Sequence, residues 1–229
     1  MATIVQNRSR VALSLRHSPI IGVVRTASRE EAMAQARMLA AAGVELVEIT
    51  FTVPGASGLV RELLADRGSD GPPFFGMGTA TTAARAREAA EAGSEFLVTP
   101  NVDAEVAKEA RQAGIFLVMG ALTPTEIVTA HELGADLIKV YPLPPVGGPA
   151  YLQVIRGPLG DIPMLAAGGF GVEEIPAYAR AGASAFGLAA PLLGVGPDAG
   201  EARRRVARAL ALARGQDPAH PEEAHEENR

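Results

Sequence analysis

The chain has 229 residues, 48% of them hydrophobic and 21% charged, with no cysteine and a formal net charge of −5. That is enough apolar material for a substantial core, and it leaves out a disordered chain, an electrostatically driven nucleic-acid binder, disulfides and cysteine-based chemistry. No run approaches the roughly 18 consecutive apolar residues of a membrane span, and the arginine-dotted start lacks the pattern of a signal peptide, so a cytoplasmic protein is expected.

A first helix is expected near Ile4 to Arg16. From there a short apolar run, a turn and an amphipathic helix repeat along the chain. The runs are "PIIGVV", "VELVEIT", "PPFFGM", "SEFLVT", "GIFLVM", "ADLIKVY", "IPMLAA" and "SAFGLA". Alanine-rich helical patterns such as "SREEAMAQARMLAAAG", "TAARAREAAEAG", "DAEVAKEARQAG" and "TPTEIVTAHELG" separate them, several ending in the glycine that stops a helix. Alternation of this kind builds parallel strands joined by helical crossovers.

Eight strand candidates predict an α/β fold of the (β/α)₈ TIM-barrel type, with an extra N-terminal helix, as one domain over residues 1–214. An open doubly wound sheet is the alternative. Its dinucleotide-binding form is disfavoured, because "RTASREE" rather than a glycine-rich turn follows the first strand. Residues 215–229, "GQDPAHPEEAHEENR", are charged and carry two prolines, and are expected to be disordered. His17, His131, His220 and His225 never stand at paired ligand spacing, so no metal and no cofactor are expected.

Among 21 basic residues only Lys108 and Lys139 are lysines. Lys108 sits in a polar helical pattern and reads as a surface charge. Lys139 stands between Ile138 and Val140 in an apolar strand. Side chains alternate along a strand, so if Ile138 and Val140 pack outward, Lys139 points into the barrel. The same alternation turns Glu48 and Thr50 inward near the top of the second strand. An ordinary lysine amine is almost wholly protonated at neutral pH, and an apolar enclosure favours the neutral form. A neutral amine can attack a ketone to give an imine, whose protonated form is an electron sink for breaking a carbon–carbon bond. A neighbouring carboxylate can carry the protons. That pairing is the constellation of a class I aldolase; a purely structural Lys139–Glu48 ion pair is the other reading.

The segments "VELVEIT", "GMGTA", "VTPNVD" and "LIKVYPLPPVGGPAYLQVIRGPLGDIPMLAAGGF" resemble the 2-keto-3-deoxy-6-phosphogluconate (KDPG) and 2-keto-4-hydroxyglutarate (KHG) aldolase family from about Arg16 to Leu193. The resemblance implies that Lys139 is the Schiff-base lysine and Glu48 the general acid/base. It implies that Thr79 binds the pyruvate carboxylate, that Pro100 lines the site, and that Tyr141 packs against substrate. For Thr79 the alternative is capping the helix that follows, and for Tyr141 it is filling the barrel. The substrate implied is a small 2-keto acid, KDPG or KHG. A homotrimer is implied by the same analogy.

Three positions depart from the family pattern. Thr52 stands where the family commonly has a carboxylate-binding arginine. Arg25, at the end of the first strand, is the candidate replacement, with a surface salt bridge as the alternative. Ala167 replaces a threonine before Gly168 and Gly169, and Ala189 with Ala190 replaces a Gly-Ser pair. The backbone amides of Gly168, Gly169 and Phe170, with a helix N-terminus near Gly171, could still cradle an anion. The competing functions are a barrel isomerase or synthase that binds a phosphorylated ligand without covalent chemistry, and a binding protein of the same fold without turnover.

Overall fold

The computed structural model describes residues 2–68, 71–196 and 198–216. Helix α1 (Ala2–His17) precedes strand β1 (Ile20–Val24), helix α2 (Arg29–Ala41) and strand β2 (Leu46–Thr50). Then come α3 (Ala56–Arg67), β3 (Phe74–Gly78), α4 (Ala83–Glu91), β4 (Phe96–Val98) and α5 (Ala104–Ala113). The second half runs β5 (Phe116–Ala121), α6 (Pro124–Glu132), β6 (Leu137–Val140), α7 (Pro149–Arg156) and β7 (Met164–Ala167). It ends with α8 (Ile175–Arg180), β8 (Ala185–Ala189) and α9 (Ala199–Ala213). Neighbouring strands pair in parallel, and β8 returns to β1, which closes the sheet into a barrel and excludes the open doubly wound alternative. Gly215 and Gln216 complete the end of α9, where the Gln216 amide donates to the Ala211 carbonyl at 2.8 Å. The rest of the expected tail, with His220 and His225, lies outside the described residues.

Local chemistry sets the helix starts. Ser28, Thr82, Asp103 and Thr123 each accept a backbone amide at an N-cap, and Thr123 with Glu126 forms a capping box. Helix α3 follows a left-handed Gly55 with no side-chain cap, which is why no polar signal announces it in the sequence.

Packing forms two apolar layers, as strand alternation requires. Val47, Ile49, Leu97, Ile138 and Val140 face outward and pack in one cluster with helix residues such as Leu39, Leu59 and Ile127. Ile21, Leu46, Phe96, Val118, Leu137 and Leu165 fill the barrel, and Val11 and Leu15 of α1 belong to the same inner cluster. Helix α1 therefore plugs the mouth at the strand N-termini. Polar stitches fix it there. Ser14 donates to Glu45, and Arg8 Nη2 lies 2.5 Å from Asp136 Oδ1. Asn7 reaches the Glu95 carbonyl at 3.2 Å. Glu95 is itself buried against Arg67 at 2.8 Å and accepts the Phe75 amide at 2.9 Å. With that end sealed, the opposite end of the strands is left for a site.

Candidate active site

A cavity of about 420 Å³ lies inside the C-terminal ends of the strands. Ile21, Val98, Val118 and Leu165 make its apolar floor, and Glu48, Lys139 and Arg25 are the charged residues on its wall. Tyr141, Gly168, Gly169, Gly187 and Ala189 complete it.

Glu48 sits mid-strand in β2, opposite Val23 of β1 and Gly76 of β3. It is only 2% exposed. Its carboxylate lies across Gly78, where a Cβ would come within 1.7 Å of Glu48 Oε1. The bare backbone of Gly78 is what allows the acid to lie there. Burial pushes the Glu48 carboxyl above its ordinary value, and the positive charges of Lys139 and Arg25 pull it only part of the way back.

Lys139 sits on β6 between Gly120 of β5 and Leu165 of β7. It shares the cavity with Glu48, and neither a hydrogen bond nor an ion pair joins the two among the described residues. This removes the reading of a structural pair. The amine is half-buried rather than enclosed: the cavity is open at its rim, where Lys139 Nζ stands 5.0 Å from the ring centre of Tyr141. Tyr141 is 42% exposed and does not fill the barrel. The expected dry enclosure is thus dry at its floor and open at its top, because β6 ends one residue after the lysine.

Gly120 serves the neighbouring loop. Its amide donates to Thr99 Oγ1 at 3.0 Å, and a Cβ there would strike the carbonyl carbon of Pro100 at 2.4 Å. Pro100 is thereby drawn over β5 beside Lys139, although it does not line the cavity itself.

Thr79 also stands outside the cavity wall, immediately after β3, with a left-handed φ of 64°. That conformation is costly for a threonine and is held by its surroundings. Arg85 Nη1 donates to the Thr79 carbonyl and to Thr81 Oγ1, both at 3.1 Å, and its guanidinium lies 5.3 Å from the Phe51 ring centre. Arg25 Nη2 donates to Thr79 Oγ1 at 3.3 Å. The cap of α4 is Thr82, so the helix-capping alternative for Thr79 does not hold. Arg25 lines the cavity with a threonine as its bonded partner, which replaces the surface salt-bridge reading. Arg85 carries no signal in the sequence, because an arginine one turn into a helix looks like any solvated charge.

Thr50 is a correction. Its hydroxyl donates to the Val24 carbonyl at 3.2 Å and shares a 2.8 Å hydrogen bond with Thr52, and it does not line the cavity. The chain that follows β2 turns both hydroxyls onto backbone and each other.

Gly168 and Gly169 follow β7 with φ values of 137° and 98°. A Cβ on Gly168 would lie 2.7 Å from Pro144 Cδ, so glycine there lets the segment after β6 close over the rim. The expected anion-binding helix end at Gly171 is not free. A three-residue 3₁₀ turn, Val172–Glu174, begins there, and Glu174 Oε2 accepts the Gly171 amide at 2.7 Å.

An amine and a buried acid on separate strands of a closed (β/α)₈ barrel, facing one cavity at the strand C-termini, define a barrel of the lysine-dependent lyase type. Comparison with known proteins narrows the class: the chain belongs to the KDPG and KHG aldolase family, whose model matches residues 11–194. The 2-dehydro-3-deoxy-6-phosphogalactonate aldolase of Escherichia coli (strain K12) is 30% identical over 78% of this chain and 86% of its own length. The 2-dehydro-3-deoxy-phosphogluconate aldolase of Haemophilus influenzae is 28% identical over 72% of this chain and 76% of its own. A solved structure of native KDPGal superposes with a TM-score of 0.77 at 28% identity, covering 86% of this chain and 95% of that one.

Proposed function

We propose that the chain is a class I aldolase that cleaves a 2-keto-4-hydroxy acid to pyruvate and an aldehyde. The observation that carries this reading is the placement of Lys139 and Glu48 on opposite walls of one cavity, unbonded to each other. Neutral Lys139 adds to the C2 ketone, and loss of water from the carbinolamine leaves a protonated imine. Glu48, as carboxylate, takes the proton of the C4 hydroxyl. The C3–C4 bond then breaks, its electrons enter the imine to form an enamine, and the aldehyde departs. Glu48 returns a proton to C3, and water releases pyruvate from the lysine. Burial of Glu48 suits this work, since a raised value lets one group act as base and acid near neutral pH.

Arg25 and Thr79 hold the substrate carboxylate in this reading, and Arg85 is a positioning residue that keeps Thr79 in its left-handed turn. Pro100 and Tyr141 bound the chain of the substrate, and the amides of Gly168 and Gly169 meet its far end. The relatives' names supply KDPG, its galactonate counterpart and KHG as trial substrates. A single barrel domain over residues 1–214, a homotrimer and a cytoplasmic location complete the proposal. Among the described residues no helix is long and apolar enough to cross a membrane.

Borohydride reduction in the presence of pyruvate tests the chemistry. The expected result is a mass increase confined to the peptide containing Lys139; unmodified protein sinks the covalent mechanism. Lys139→Arg separates the competing function, because an electrostatic anchor retains partial activity whereas an imine-forming lysine retains none.

A further inference from the structure

The two ends of the cavity differ in kind. One end carries Arg25 with Thr79 beside it. The other is walled by Ala167, Gly168, Gly169, Gly187 and Ala189, whose side chains bring neither a hydroxyl nor a charge. Ala190, the next residue, is fully buried in the outer apolar layer and faces the helices instead. Among the described residues that line the cavity, the positive charges are Arg25 and Lys139. Arg25 is bonded at the carboxylate end, and Lys139 must be without its proton to attack a ketone.

The turn beyond the two glycines adds a second, independent feature. The Gly171 amide, which points out of the start of that turn, is already bonded to the Glu174 carboxylate at 2.7 Å. A carboxylate therefore occupies the position where an incoming anion would find a donor, and it repels a second negative group brought close to it. A phosphate dianion leaving water needs counter-charge or several strong donors. The amides of Gly168 and Gly169 can bond a hydroxyl or carbonyl oxygen of a substrate, and they supply no charge.

We infer that this site takes a 2-keto-4-hydroxy acid whose aldehyde-forming end is uncharged and bears no phosphate, with Ala189 and Glu174 as the residues that set this preference. The inference rests on the aldolase reading given above.

The test runs the reaction in the condensing direction, with pyruvate as donor and either D-glyceraldehyde or D-glyceraldehyde 3-phosphate as acceptor, on the full chain. The expected kcat/KM for the unphosphorylated acceptor equals or exceeds that for the phosphate ester. A preference for the ester overturns the inference. Borohydride trapping with pyruvate alone, on the same preparation, keeps the two levels apart. Label on Lys139 together with a preference for the ester overturns the substrate class and leaves the aldolase standing, whereas absence of label overturns both. A double variant, Ala189→Ser with Glu174→Gln, restores a hydroxyl and removes the negative charge. It is expected to move the acceptor ratio toward the ester by about tenfold. An unchanged ratio in a variant that still melts cooperatively overturns the assignment to those two residues.

Discussion

Glu48 shows how one side chain can serve catalysis at the expense of stability. Its folded-state value lies above the ordinary 4.5 because burial disfavours the charge. Below that ordinary value the folded and unfolded chains both hold the proton, and burial costs nothing. As pH rises, the unfolded chain ionises first, so the folded state loses ground until its own raised value is passed, and the full penalty applies above it. Glu48→Gln is therefore expected to raise Tm at pH 7.5 while leaving it nearly unchanged at pH 4, and to lower kcat by about 10²–10⁴-fold. Thermal melts at the two pH values beside a pyruvate-release assay check both halves. Gly78→Ala approaches the same carboxylate from the other side. The added Cβ would sit 1.7 Å from Glu48 Oε1, so a loss of activity of the same order is expected in a protein that still folds. Arg85 acts one residue further out. Arg85→Gln removes its charge and one of its two hydrogen bonds to the Thr79 turn, and is expected to raise KM for the keto acid about tenfold with a much smaller change in kcat. Loss of kcat alone would contradict a positioning role.

At the scale of elements, α1 and the glycine-bearing strands divide the labour. Leu15 of α1 is 8% exposed and belongs to the barrel-filling cluster. Leu15→Ala is expected to cost about 2–5 kcal/mol of stability, measured by denaturant unfolding, while the KM of the folded enzyme stays as it was. The order of elements was legible in the sequence, because eight apolar runs separated by capped helices admit few other folds. Lys139 and Glu48 were legible too, since strand alternation alone turns them inward. Other features were silent for physical reasons. Gly76, Gly78 and Gly120 read as weak points of strands, and their use appears only once the Phe96 ring, the Glu48 carboxylate and Pro100 occupy the space each leaves. The arginines of α1 read as scattered charge until Arg8 meets Asp136, 128 residues away in the chain. Thr50 followed the alternation rule and still missed the cavity, because a hydroxyl at a strand end finds the Val24 carbonyl before it finds a ligand.

For the molecule as a whole, the proposed homotrimer predicts a sedimentation mass three times the 23.7 kDa of one chain. A mass of 23.7 kDa at micromolar concentration would remove the trimer. The bonds that join Ser14 to Glu45, Arg8 to Asp136 and Arg67 to Glu95 all sit at the end of the strands remote from Lys139. Durability and selectivity therefore draw on separate sets of residues. Directed evolution can randomise Thr52, Ala167 and Ala189 together in a single library and expect most members to keep their thermal tolerance, so that screening for a new aldehyde need not begin by rescuing the scaffold.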